Sequence, residues 1–123
     1  MRRTLFIAGA LLVGCSPEFS HVELEPLSTP PVPVSVRGSQ IELPAGVAVV
    51  VRAELFSDSA RPYDENFSLD LLSADRVVFT TYQREDDREF VLVGVNPGET
   101  CMEVVINGHV EDCVTVFVTQ PSL

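Results

Sequence analysis

The sequence contains no lysine and no tryptophan, and only two histidines, His21 and His109. Every positive side chain is therefore one of eight arginines, set against 18 acidic residues for a net charge of −10. Such an excess of acid opposes binding to nucleic acid or to anionic lipid head groups. Neither histidine lies near a recognisable nucleophile motif, so a Ser-His-Asp triad has no evident members. Two histidines so far apart give no zinc spacing. No segment shows a helical period, and no glycine-rich phosphate loop opens a helix. The longest apolar run, Leu5 to Val13, is about half the roughly 20 residues that a spanning helix needs. Together these absences argue against an enzyme and against a transmembrane helix.

That apolar run has a different meaning in its context. Arg2 and Arg3 precede it, Gly14 and Cys15 follow, and polarity returns at Ser16-Pro17-Glu18. A positive start, a short apolar stretch and small residues at a cut site describe an export signal over residues 1–14. The segment Leu12-Val13-Gly14-Cys15 resembles the lipobox of bacterial lipoproteins. The resemblance implies that Cys15 takes a diacylglyceryl group on its thiol and, after cleavage, a further acyl chain on its amine. Two or more chains anchor stably, whereas one anchors only marginally. The alternative is an ordinary secretory signal with a cysteine there by chance. Ser16, in place of Asp, implies by the same resemblance an outer-membrane rather than inner-membrane destination.

Loss of residues 1–14 leaves 109 residues, with six arginines against 18 acids and a side-chain charge of −12. Assigning Cys15 to lipid leaves Cys101 and Cys113 as an even pair in an exported, oxidising setting, where disulfides persist. A redox-active role suits them poorly, because the spacing is far from Cys-x-x-Cys and no Lys or Arg is adjacent. Residues 16–35 hold five of the nine prolines and no apolar period. Residues 15–35 are expected to form a lipidated, semi-rigid tether that reaches roughly 60 Å at polyproline spacing.

Beyond it, short β-branched runs recur between turn residues, the habit of an all-β sandwich. The expectation is a seven-stranded, immunoglobulin-like Greek-key β-sandwich over residues 36–119. Its strands fall near 34–37 continuing to 40–43, then 47–56, 67–72, 76–82, 89–95, 100–106 and 110–118. Alternation points Val49, Val51, Ala53 and Leu55 inward, with Met102, Val104, Ile106, Val114, Val116 and Val118. Cys101 and Cys113 then lie on the outer face. Asn107-Gly108 marks a hairpin. A three-residue loop there sets Val105 opposite His109, Val104 opposite Val110 and Cys101 opposite Cys113.

Three stretches together resemble bacterial immunoglobulin-like domains of the second type (BIG2-like): Ile41–Val47 leading into Val49–Ala53, Gly94–Thr100, and Val114–Val118. Phe67 stands where that family carries an aromatic in its third strand. The resemblance implies a surface or adhesion module and specifies fold far more than activity.

In such a sandwich the connections 57–66, 83–88 and 107–108 share one end. That end would gather Asp58, Arg61, Tyr63, Asp64, Glu65, Arg84, Glu85, Asp86, Asp87 and Arg88. Tyr63 and the arginines are of types enriched at binding hot spots, which fits a protein or glycan partner. A Ca²⁺ site is a second reading of the carboxylates, although no Asp-x-Asp-x-Asp loop is present. The plain alternative is a solvated charge run with local Arg–Asp pairs. The expected function is a non-enzymatic, lipid-anchored envelope lipoprotein serving adhesion or protein or glycan binding, needing no cofactor. An accessory structural subunit of an envelope complex is the competing reading.

Overall fold

A computed structural model describes residues 19–30, 33–37, 39–57 and 67–121. Nine strands occur among them, and no helix. They are β1 (Phe19–Pro26), β2 (Ser35–Val36), β3 (Gln40–Pro44), β4 (Ala48–Ser57), β5 (Leu69–Ser73), β6 (Phe79–Gln83), β7 (Glu89–Gly94), β8 (Gly98–Ile106) and β9 (His109–Thr119). They form two sheets, ordered β1-β4-β7-β6 and β2-β3-β9-β8-β5. Every neighbouring pair is antiparallel except β3 and β9, which run parallel from Gln40 beside Thr115 to Pro44 beside Thr119.

Valine-rich alternation produces this arrangement because a pleated strand sends successive side chains to opposite faces. From the first sheet, Val22, Leu24, Val49, Val51, Ala53, Leu55, Phe79, Phe90 and Leu92 are buried. The second sheet answers with Ile41, Leu43, Leu69, Leu71, Met102, Val104, Ile106, Val114, Val116 and Val118. All the inward positions expected from alternation are in this core. Arg52 and Glu54 project outward, as their place in the alternation requires.

Three features differ from the sequence reading. The stretch read as part of a tether contains β1, paired along β4 from Phe19–Ser57 to Pro26–Val51. Its prolines flank a short alternation, Val22-Glu23-Leu24-Glu25, whose two apolar side chains enter the core. The run expected over 34–43 is two strands, because Arg37 N–H donates to the Gln40 carbonyl (2.9 Å) and reverses the chain between β2 and β3. Nine strands therefore replace the expected seven. The strand expected from residue 76 starts later, at Phe79. The Asp75 carboxylate accepts from Val77 N–H (3.0 Å) and its carbonyl from Val78 N–H (3.2 Å), which ties up a turn first.

The β8–β9 hairpin departs in register. Asn107 (φ 51°) and Gly108 (φ 83°) form a two-residue turn that sets Ile106 opposite His109. Two successive positive φ values match the strand twist, and Asn-Gly supplies them at low cost. A bulge then follows: Val105 pairs with Val110 and Val104 with Asp112, leaving Glu111 as the extra residue. Cys113 consequently faces Glu103, and Cys101 faces Thr115. The disulfide between Cys101 and Cys113 forms on the diagonal, with Cα atoms 5.4 Å apart. The diagonal neighbours share the outer face, so the bond forms despite the different pairing.

At the opposite end the chain crosses between sheets through Pro44–Val47. Ala45 N–H donates to Thr119 O (2.9 Å) in one sheet, and Gly46 N–H to Gly94 O (2.8 Å) in the other. Gly94 is required by proximity: a Cβ there would stand 2.6 Å from the Pro44 carbonyl oxygen. Gly94→Ala should therefore cost roughly 1–3 kcal/mol, read as a lower thermal midpoint. Reducing the disulfide, or replacing both cysteines by Ser, should cost roughly 3 kcal/mol by the chain-entropy argument for so short a loop. Urea melts with and without reductant check the second value, and coincident curves would remove the disulfide from the stability account.

Candidate functional site

The loop end named from the sequence is partly in view. Asp58, Arg61, Tyr63, Asp64 and Glu65 lie outside the described residues, as does Cys15. Phe67, which follows that segment, stacks under Arg88, with the guanidinium carbon 4.0 Å from the ring centroid. Ser68 N–H donates to the Asn107 side-chain oxygen (3.0 Å), and Asn107 N–H returns a bond to the Ser68 carbonyl (3.0 Å). The β4–β5, β6–β7 and β8–β9 connections thus meet at one end of the sandwich.

The β6–β7 turn carries Arg84, Glu85, Asp86, Asp87 and Arg88. Arg84 N–H donates to Glu89 O (2.9 Å), and Glu89 N–H to Asp86 O (3.0 Å), closing the turn. The Asp86 carboxylate caps it from within by accepting Arg88 N–H (2.9 Å). Arg88 O in turn accepts from Ala53 N–H (2.8 Å), which ties the turn to β4.

Arginine side chains occupy three of the four carboxylate oxygens of Asp86 and Glu89. Arg52 Nη2 donates to Glu89 Oε2 (2.9 Å) and to Asp86 Oδ2 (3.3 Å), while Arg84 Nη1 reaches Glu89 Oε1 (3.2 Å). Arg88 Nη1 stands 3.5 Å from Asp87 Oδ2 and makes no hydrogen bond among the described groups. Its contacts are electrostatic and with the Phe67 ring. Both oxygens of Asp86 and both of Glu89 are engaged, so a cation there would have to displace guanidinium groups or a backbone amide. Among the described residues, no three His, Cys, Asp or Glu side chains converge as a metal site. The pattern is that of local Arg–carboxylate pairs.

A second feature escaped the sequence reading. A cleft of about 400 Å³ lies between the edges of the two sheets, lined by His21, Val22, Glu23, Ser39, Asp112 and Cys113. The His21 ring stacks on Phe56, with centroids 5.0 Å apart and planes within 2°. Its Nε2 is 3.2 Å from Glu23 Oε2, and its Nδ1 is 3.2 Å from Ser20 Oγ. Three of the lining residues belong to β1, whose proline-flanked sequence reads as tether, so the cleft is not evident from the sequence. The alternation Val22-Glu23-Leu24-Glu25 was the available signal.

No family model matches the chain, and no curated protein matches it. Among the solved structures that resemble its fold are two of the S-layer protein SbsC. One is a crystal structure of domains 4 and 5 of the S-layer protein SbsC, with a TM-score of 0.55 and 15% identity. The likeness covers 85% of this chain and 54% of that one. The other is a structure of domains 1–6 of the surface layer protein SbsC, with a TM-score of 0.58 and 14% identity. It covers 88% of this chain and 14% of the other. The chain thus spans about half of the first neighbour and a small part of the second. At such identities the likeness establishes an all-β, two-sheet fold.

The ion pairs are more than 40% exposed at Arg52 and Asp86, so their energetic weight is small. Arg52→Ala should cost no more than about 1 kcal/mol in low salt, and the difference should shrink in molar salt. A larger loss that ignores salt would mean that Arg52 acts through packing.

Proposed function

We propose that the chain is a lipid-anchored bacterial envelope lipoprotein whose sandwich serves binding or assembly without catalysis. The observation that carries this reading is the Leu12-Val13-Gly14-Cys15 sequence ahead of an all-β body whose other two cysteines are bonded to each other. A lipobox accounts for the third cysteine, and a disulfide is at home in an exported compartment. The names of the neighbouring structures, S-layer and surface layer proteins, support a place at the cell envelope.

The finer fold assignment is part of the same proposal. Strands β1, β4, β7 and β6 lie in the order that an immunoglobulin-type A-B-E-D sheet requires, and β5, β8 and β9 supply C, F and G. On that plan β3 is a second segment of the first strand, carried over to the G edge. The Gly46 turn and the close approach at Gly94 fall within the stretches that resemble BIG2-like domains. Adhesion to a protein or glycan is the reading that this resemblance favours, with a role as accessory subunit of an envelope complex beside it. Outer-membrane delivery rests on Ser16.

Replacing Cys15 by Ser tests the anchor. Metabolic labelling with a tagged fatty acid should mark the wild-type protein and leave Cys15→Ser unmarked, and the variant should leave the membrane fraction or persist as precursor. A variant that is still labelled would overturn the proposal.

A further inference from the structure

We infer that the cleft between β1 and β9 accepts an extended polypeptide bearing basic side chains, which adds as a strand to the unpaired half of β9. The inference deepens the binding reading proposed above and rests on it.

The first observation is a notch in the edge of the five-stranded sheet. β9 runs for eleven residues, His109–Thr119, but β3 pairs only with Thr115–Thr119. The chain leaves β9 at Gln40, because the Arg37-to-Gln40 reversal carries it back into β2. Among the described residues, no strand pairs with His109–Val114 on that side. A sheet edge left open in this way is a template for another strand, since its amides and carbonyls have no ladder partners. Six residues of edge correspond to roughly 20 Å of extended chain.

The second observation is that the notch is backed by space. The cleft of about 400 Å³ runs between this edge and β1, the edge of the other sheet. Its floor is Val22, whose side chain belongs to the core, and its rim is Ser39, Glu23 and Asp112. A strand laid here can send one side chain toward the apolar floor and its neighbours toward the rim, as alternation dictates.

The third observation is charge. Glu23 and Asp112 flank the cleft, exposed Glu111 stands at the bulge, and no arginine lines it among the described residues. The whole chain carries −10. A neutral strand would leave Glu111 and Asp112 without an opposite charge and an acidic one would repel them, whereas a basic one would pair with them.

Asp112 links edge to charge. The Cys113 N–H donates to Asp112 Oδ1 at 2.8 Å, so the carboxylate caps the edge amide. An incoming backbone carbonyl can take over that amide and release the carboxylate to a basic side chain of the same strand. The exchange keeps both groups satisfied, which an open edge amide and an unpaired carboxylate would not be.

The test uses the full chain, purified from whichever fraction holds it, so that failure of lipid anchoring leaves the measurement intact. The probes are three fluorescent peptides of equal length: alternating Arg-Val, alternating N-methylarginine and proline (Arg-Pro below) and alternating Glu-Val. Arg-Pro keeps the charge but cannot donate to a ladder. Saturable binding of Arg-Val is expected, with Arg-Pro at least roughly tenfold weaker and Glu-Val not bound. Ser39→Trp, which fills the cleft, and Asp112→Asn should each weaken Arg-Val by roughly tenfold. Hydrogen exchange should slow at residues 111–114 and stay unchanged at Tyr82 on β6 and Val91 on β7, away from the cleft. Equal affinity for Arg-Val and Arg-Pro would overturn the inference in favour of diffuse attraction to an acidic surface. So would no binding of Arg-Val, or unaltered binding by both variants with wild-type melting curves.

Discussion

The crossing at Pro44–Val47 is the constraint on which the rest of this fold depends. In four residues the chain leaves a strand of one sheet and enters a strand of the other, and its amides bond into both. Once β3 lies parallel to β9 and β4 lies antiparallel to β7, the two valine-rich faces are opposed and the core has its shape. The close approach of the Pro44 carbonyl to Gly94 sets how tightly the layers can meet there. In a body this small, with little stability margin, such contacts matter out of proportion to their number.

The opposite end is organised by charge. Arg52 projects from the middle of a sheet, and Glu89 and Asp86 approach it from the next strand and turn. These pairs shape the loop more than they stabilise it. A turn whose Asp86 and Glu89 carboxylates are already engaged presents a defined outline. A strand edge lined by acids with no arginine among them has the reverse character, and the two features lie on different sides of the same sandwich.

Much of this was legible in the sequence because it follows from a period of two. Alternation placed Val49, Val51, Ala53 and Leu55 inward, and Val114, Val116 and Val118 with them, without reference to pairing. What alternation cannot show is where an extra residue enters a ladder. The Glu111 bulge shifted the cysteine pairing from opposite to diagonal, though both faces were read correctly. β1 was lost for another reason: its core contribution is two side chains, Val22 and Leu24, between segments rich in proline. Too short an apolar pattern to register alone, it becomes a strand only because β4 offers an edge. The cleft was lost with it.

That strand also changes where the body stands. Phe19 is four residues beyond Cys15, a span of about 14 Å at most. With lipid on Cys15, the sandwich would be held against the bilayer, with no long stalk beneath it. Phe19 pairs with Ser57, so the lowest point of the body is the end where the β6–β7 and β8–β9 turns converge. The Pro44–Val47 crossing would then crown the molecule, and it, rather than the charged turns, would be what an approaching particle meets first.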